Sequence, residues 1–263
     1  MLTHLDHLVI LVSDLAQAVD NYTALGFTVT PGGTHADGLT HNTLITFADG
    51  TYLELIAFVD PSSAGDNTWG WRRYLDAGGG LIDYCVASDD LTADVQRLQT
   101  QGFTVNGPTS GGRKRPDGEE LRWLSASFWQ AGHELPFLIQ DLTPRELRVP
   151  GGTAAQHANG VTGIRELTIV TADLDRSSAS AARLTGSAAT PFSADRRRDA
   201  QVAAFSIGAH TLVFAEPANP HSPLQGHIES IGLGPYEITL ASESNSGALL
   251  DRRLTNGVEM RLG

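Results

Sequence analysis

Strand-length apolar runs, each ending in a Ser/Thr/Asp cap and followed by hydrophobic positions at three- and four-residue spacing, occur three times in this chain. The first is Leu5 to Leu15 (LDHLVILVSDL), and it returns at Leu81 to Leu91 (LIDYCVASDDL) and at Ile164 to Leu174 (IRELTIVTADL). A weaker fourth copy is Tyr236 to Asn245 (YEITLASESN). When Asp14-Leu15, Asp90-Leu91 and Asp173-Leu174 are aligned, His7, Asp83 and Glu166 fall on one position, and Glu237 takes it in the fourth copy. Each copy predicts a strand, an N-cap whose oxygen satisfies orphan helix N–H groups, and a helix. Leu15, Val19, Tyr22 and Leu25 form the first helical stripe before Gly26, and Leu91, Val95 and Leu98 form the second before Gly102. The helix exits match as well, LGFTVTPG against QGFTVNGP.

Three further strands follow the first helix, starting at Phe27 to Thr30, Thr40 to Ala48 and Thr51 to Phe58. Asp49-Gly50 reads as a two-residue hairpin turn, which places Ala48 opposite Thr51 and Ile45 opposite Glu54. Alternation then puts His41, Thr43, Ile45, Phe47, Tyr52, Glu54, Ile56 and Phe58 on one face. Residues 61 to 79 read as a loop, a short helix and a Gly-rich connector. Residues 80 to 141 repeat the first module around an Asp117-Gly118 turn. Residues 146 to 160 read as a linker, because 142 to 160 lack periodicity and carry Pro and Gly. Residues 161 to 216 form a third module, 217 to 233 a loop, and 234 to 263 a truncated fourth with a helix at Gly247 to Leu254 and a last strand at Val258 to Leu262. The expected class is α+β: tandem βαβββ modules, at 4 to 58 and 80 to 141 within a 1 to 145 domain, and a degenerate second half at 161 to 263.

Composition narrows the function. A net charge of −12 argues against nucleic acid or an anionic membrane as partner, since phosphate surfaces demand a basic face. The chain contains no apolar run of about eighteen residues and starts without a signal-peptide pattern. The lone Cys85 cannot form an internal disulfide, which fits a reducing compartment. The expectation is a soluble, cytoplasmic globular protein.

The tandem modules, with polar positions in a first strand and a fourth, resemble the vicinal oxygen chelate superfamily of glyoxalase I, extradiol dioxygenases and bleomycin-resistance proteins. The wording LDHLVILVSDL, GLTHNTLITFADGTYLELIAF, GRKRPDGEELRW and LPFLIQ is similar to its glyoxalase-like domain branch. The resemblance implies that two modules pair into a cup of mixed sheets with helices outside and a divalent ion between them. Carried over position by position, it implies metal ligands at His7, Glu54 and Asp83, with Phe137 where a fourth ligand would stand. Imidazole with two carboxylates suits Zn²⁺, Mn²⁺, Fe²⁺ or Ni²⁺.

Glu54 stands alone in the apolar run TYLELIAF, where an uncompensated carboxylate costs several kcal/mol, so it is also the expected proton carrier. His7 reads equally as a buried histidine satisfied by a carbonyl, and Asp83 as an arginine partner at a module seam. His41, about 13 Å along the strands from Glu54, is a substrate-wall candidate rather than a ligand. Arg113, Arg115 and Arg122 around the Asp117-Gly118 turn suit bidentate binding of a carboxylate or carbonyl, whereas Lys114 suits a solvated tip. Trp123 and Phe137 complete the expected substrate wall, and Trp69, Trp71 and Trp129 are stacking or packing aromatics. Glu166 and Glu237 offer the remnant of a second site. The implied activity is metal-dependent isomerase or lyase chemistry on a small vicinally oxygenated substrate. The alternative is a metal-free small-molecule binding protein of the bleomycin-resistance type. The expected partner is a small molecule, with a homodimer left open.

Overall fold

The computed structural model describes residues 1–63, 69–128, 133–243 and 247–263. Strand β1 (Leu2–Leu11), helix α1 (Leu15–Ala24), and strands β2 (Thr30–His35), β3 (Thr40–Thr46) and β4 (Tyr52–Phe58) form one βαβββ unit. Strand β5 (Gly80–Ser88), helix α2 (Leu91–Thr100), and strands β6 (Val105–Lys114), β7 (Glu120–Phe128) and β8 (Phe137–Asp141) form the next. The helices start where the caps require: Asp14 accepts from the Gln17 amide at 3.0 Å and Asp90 from that of Ala93 at 3.0 Å.

The two units close into one barrel in the order β1-β4-β3-β2-β6-β7-β8-β5. One seam is the antiparallel β1–β5 pair, and the other is a short β2–β6 pairing, Thr34 with Lys114 and His35 with Arg113. The expected cup is therefore a closed wall. Val9, Leu11, Ile56, Phe58, Trp71, Cys85, Phe137 and Ile139 form one cluster within it, while Leu8 and Ile10 join a larger core with Leu91, Leu98, Leu167 and Phe205.

The second half supplies β9 (Val161–Val170), the helix Leu174–Thr185, β10 (Ser193–Asp195), β11 (Ala200–Ile207), β12 (His210–Pro217), β13 (Gly234–Ser242) and β14 (Glu259–Leu262). The strands make a six-stranded sheet, β10-β11-β12-β9-β13-β14. β14 runs parallel to β13 as β4 runs parallel to β1, so it occupies the fourth-strand place of a module lacking two strands. The helix expected at Gly247 to Leu254 is absent among the described residues, and 252–257 are turns. The loop expected at 217–233 contains a helix, Pro223–Ser230, capped by Ser222 and opened by Pro223. The segment expected to be a linker carries a helical turn, Arg145–Arg148, and a 3₁₀ turn, Gly152–Ala155. Arg148 there is 3% exposed, so its tertiary partners order a stretch without hydrophobic periodicity. No described helix is long and apolar enough to cross a membrane.

Two local features decide which side chains enter the barrel. The first is the β3–β4 hairpin, whose register is Thr46 with Tyr52 and Leu44 with Glu54. Its loop is one residue longer than expected, with Phe47 N–H donating to Thr51 at 2.8 Å and Gly50 in the left-handed region at φ 86°. A three-residue loop ending in such a glycine is the next commonest hairpin after the two-residue turn. The slip of one residue moves His41 off the lumen face and brings Asn42 and Leu44 onto it.

The second feature is a repeated β-bulge. Asp6 is an extra residue on β1 between the pairs Leu5–Val86 and His7–Cys85, and Ile82 is an extra residue on β5 between Val9–Asp83 and Ile10–Leu81. The β9–β13 pair has the same two bulges, at Arg165 and Tyr236. In all four copies the residue before the aligned polar position is the bulged one, and such bulges re-aim neighbouring side chains.

Candidate functional site

At the Asp6 bulge, successive side chains meet instead of parting to opposite faces. Asp6 Oδ1 lies 2.6 Å from His7 Nδ1, and both residues are buried. Arg148 grips Asp6 with two nitrogens, Nη1 to Oδ1 at 2.9 Å and Nη2 to Oδ2 at 3.0 Å, and Arg145 also donates to Oδ2. Burial alone would raise the Asp6 pKa, but the Arg148 charge and the bonds from His7 and Arg148 outweigh it and hold the carboxyl well below its usual range. An ionised Asp6 accepts from Nδ1–H, which turns His7 Nε2 toward the lumen. The His7 ring is fixed on its other sides by Tyr52, stacked at 4.5 Å, and by the edge of Phe137 at 5.2 Å.

Glu54, 4% exposed, faces that nitrogen with Oε2 at 3.5 Å. Its other oxygen accepts from Asn42 Nδ2 at 2.5 Å and lies 3.6 Å from His35 Nε2. Burial lowers the His35 pKa, with the Glu54 charge opposing, so this imidazole is neutral at physiological pH. The lumen cavity, about 60 Å³, is lined by these groups together with Trp69, Trp71, Arg113, Trp123 and Arg148. A vestibule of about 150 Å³ adjoins it through His35, Trp69, Trp71 and Trp123. A larger cleft of about 570 Å³ lies between Gly78–Leu81, the Pro223–Ser230 helix and the C-terminal turns. Its lining pairs Arg252 with Glu259 at 2.9 Å and contains no buried carboxylate, so the lumen is the stronger candidate.

The residues marked out by the sequence separate into two groups. His7, Glu54, Arg113, Trp123 and Phe137 all line the lumen cavity. Asp83 does not join His7 and Glu54: its Oδ2 accepts from Trp71 Nε1 at 2.8 Å and meets His133 Nδ1 at 2.8 Å. His41 pairs with Ala57 on the face turned away from Glu54. Arg115 is tied to Asp117 at 2.7 Å and to the Leu147 carbonyl at 3.2 Å, and Arg122 is exposed, so neither lines the cavity. Trp129 lies outside the described residues. Cys85 is fully buried, and burial pushes its thiol well above the usual range, as suits a packing residue. In the second half Glu237 is gripped by Arg197 through two bonds of 2.6 Å and by Arg198 at 2.9 Å, which fills the remnant site with guanidinium. Asp6, His35, Asn42 and Arg148 are site residues that the sequence does not mark out by pattern. The one available signal is an aspartate inside the apolar run LDHLV.

Two sets of atoms are candidates for a divalent ion. Asp6, His7 and Cys85 offer donor atoms within 4.8 Å of one another. Both Asp6 oxygens are already held by Arg148, however, and His7 uses Nδ1 on Asp6, so an ion there would have to displace an arginine. His7 Nε2 and Glu54 Oε2 face open lumen, and 3.5 Å is close to the gap between neighbouring ligand atoms on an ion with bonds of about 2.0–2.2 Å. The carboxylate behind the imidazole is the usual support of a metal-bound histidine. These residues fit an open site with few protein ligands.

A family model for the glyoxalase-like domain matches residues 5–185. Sequence comparison with curated proteins finds no significant match. Among solved structures, a hypothetical protein from Staphylococcus aureus superposes with a TM-score of 0.72 at 12% identity, covering 98% of each chain. A variant of 4-hydroxymandelate synthase from Streptomyces coelicolor gives 0.62 at 13% identity, covering 92% of this chain and 72% of that one. A xylose isomerase-like TIM barrel/4-hydroxyphenylpyruvate dioxygenase fusion protein gives 0.56 at 16%, covering 93% and 37%. At these identities the likeness is one of fold, and it extends over both halves. The family match across more than half the chain, carried by the repeated βαβββ units, establishes that this chain belongs to the glyoxalase-like domain family.

Proposed function

We propose that the barrel lumen is the active site of a glyoxalase-like, metal-dependent isomerase or lyase acting on a small vicinally oxygenated substrate. The observation that carries this reading is the buried line from Asp6 through His7 to Glu54, aimed into the lumen cavity. His7 and Glu54, with His35 beside them, would hold Zn²⁺, Mn²⁺, Ni²⁺ or Fe²⁺. When bound, such an ion supplies Lewis-acid stabilisation of negative charge developing on substrate oxygens.

The protein's own groups supply the rest. Asn42 pins Oε1 of Glu54, so the carboxylate presents Oε2 to the reacting centre and is the group that moves a proton. Asp6 keeps His7 in one tautomer and one orientation. Trp69, Trp71, Trp123 and Phe137 wall off water, which strengthens every charge interaction inside.

Glu54→Gln keeps the side-chain volume and removes the charge and the proton acceptor. Melting of both proteins with Zn²⁺, Mn²⁺, Ni²⁺ or Fe²⁺ should show a rise in Tm for the wild type alone, since a ligand that binds only the native state raises stability. Proton exchange into small 2-oxo and 2-hydroxy carbonyl compounds should fall by roughly 10²–10⁴ in the variant. A wild-type Tm indifferent to every ion would sink the metal-dependent reading. The engagement of Asp83 with Trp71 and His133, and the apolar Phe137, favour a second reading, a metal-free small-molecule binder. That reading expects Glu54→Gln to hold or raise stability and to leave ligand affinity level.

A further inference from the structure

The vestibule outside the lumen, about 150 Å³, differs from it in chemistry. It shares with the lumen only His35, Trp69, Trp71 and Trp123, so these four rings form the neck between the two cavities. Beyond the neck it is walled by hydroxyl side chains, by Gly111 and Gly112, and by Asp37. No lysine or arginine lines it. Arg113 and Arg148 line the lumen instead, where the Glu54 charge acts on the first and Asp6 with Asp141 holds the second.

Its aromatic walls are two panels. Trp69 and Trp71 stack at 5.9 Å and 20° into one, and Trp71 is pinned by its Nε1–H donating to Asp83 at 2.8 Å. Trp123 is the other. It lies across Gly111, its partner on β6, where an added Cβ would come within 2.4, 2.9 and 3.1 Å of Nε1, Cε2 and Cδ1. With three atoms of the ring this close to one point of the strand, one indole face rests on the sheet and the other is turned to the cavities. Its one ring contact among the described residues is perpendicular, with His35 at 6.2 Å, and no ring stacks on that free face. Asp37 supplies the charge. Its Oδ1 accepts from the Leu39 amide at 3.0 Å, and among the described residues it has no ion-pair partner within 4 Å. Its field reaches the neck, where it acts on His35, an imidazole that burial keeps neutral.

Electron-rich ring faces beside an unpaired carboxylate, with no cation near, are surroundings that attract an ammonium group. We infer that the vestibule is a binding site for a methylated ammonium, held between Trp123 and the Trp69–Trp71 panel with Asp37 as its counter-charge. Methylation suits these walls, because a methylated cation gives up water at lower cost than a primary ammonium and needs ring faces rather than acceptors. The net charge of −12 draws such a cation to the mouth. The site does not depend on an ion in the lumen or on the lumen being catalytic. If the lumen is the active site, as proposed above, the ammonium is the end of the substrate that stays outside the neck while its oxygens pass through; that assignment alone rests on the proposed function.

Titration calorimetry and tryptophan fluorescence on the chelator-treated full chain, at constant ionic strength, test it with two probes: choline, and 3,3-dimethyl-1-butanol, in which carbon replaces the charged nitrogen. The wild type should bind choline at roughly millimolar concentration and about tenfold tighter than the neutral isostere, the scale of one or two cation–π contacts. Trp123→Leu, with a melting curve that shows it folded, should lose about tenfold toward choline, while Trp123→Phe keeps part of the affinity. Asp37→Asn, at an exposed position, should lose about threefold, and the difference should vanish at high salt. If Trp123→Leu does not fold, the isostere pair and Asp37→Asn still decide. Equal binding of choline and its isostere, undiminished choline binding by folded Trp123→Leu or by Asp37→Asn, or no choline binding at millimolar concentration would each overturn the assignment. All of these are read without metal, so a failure of the metal-dependent reading in the melting experiments is seen separately.

Discussion

Asp6 Oδ1 and His7 Nδ1 lie 2.6 Å apart although the two residues are consecutive on a strand. Regular strand geometry points neighbours to opposite faces, so the contact exists only because Asp6 is the bulged residue of the β1–β5 pair. The same bulge hands Asp6 to Arg145 and Arg148, which tether the segment after β8 to the barrel. One carboxylate thereby orients the candidate metal-binding imidazole and fastens the barrel to the segment leading into the second half.

Asp6→Asn should destabilise the fold by about 3–5 kcal/mol, because it leaves Arg148 buried with one carboxylate instead of two. The folded-state pKa of Asp6 is depressed, so its stabilisation is present above the unfolded value of 3.8 and is lost as pH falls through the folded value. Urea denaturation should therefore show a wild-type acid limb below about pH 4 that is shallower in the variant. Asp6→Asn combined with Arg148→Met should cost less than the two single changes added together, since removing both partners leaves no orphaned charge. Strict additivity would mean that the pair is not coupled.

Asp83→Asn should leave metal affinity within about threefold of wild type, because its carboxylate is committed to Trp71 and His133 and not to the His7–Glu54 gap. His7→Gln, by contrast, should lose at least 10–100-fold, the scale seen when even a supporting group of a site is removed. Calorimetric titration with Zn²⁺ checks both. A loss in Asp83→Asn equal to that in His7→Gln would return Asp83 to the ligand set.

The repeat could be read from the chain because capping and apolar spacing are local signals. The aligned copies reappear in the seams, where Val9 faces Asp83 and His7 faces Cys85 just as Thr168 faces Glu237. Which strand face held the site could not be read so directly. A single extra loop residue after Phe47 exchanged His41 for Asn42, and no pattern in the sequence separates a two-residue from a three-residue loop at Asp49-Gly50. His35 ends a strand reading TPGGTH, too poor in apolar residues to show alternation. Arg148 was hidden because its burial depends on Asp6, 142 residues away, and not on any periodicity of its own segment.

Glu237→Gln should destabilise the second half by about 1.5–3 kcal/mol, the scale of hydrogen bonds to charged groups, without changing ligand binding in the barrel. Glu237 is 1% exposed and answers Arg197 and Arg198 together, so its loss leaves Arg198 to Asp195 and Glu166 and the half-exposed Arg197 to solvent. Denaturation and probe binding measured on the same sample check the two halves of the claim. A loss of lumen affinity in a protein that remains folded would show that the remnant site communicates with the barrel.

His227 is held near a pKa of 4 by burial, against 6.5 in the open, and its Nε2 has no hydrogen-bond partner among the described residues. Between pH 6.5 and about 4 the unfolded chain binds a proton at this residue and the folded one does not, so stability falls as pH falls. The upper bound on that loss is roughly 3.5 kcal/mol, at about 1.4 kcal/mol per pKa unit. His4, His35 and His157 shift in the same direction and contribute further slope, so the test is a difference between two proteins. His227→Gln cannot take up the proton in either state and should lose less stability than wild type between pH 7 and 4.5. Its advantage should grow steadily across that interval. If the two denaturation midpoints move in parallel with pH, His227 is protonated in the folded protein, and the packing of the Pro223–Ser230 helix over Tyr236 is looser than the 5.1 Å ring contact indicates.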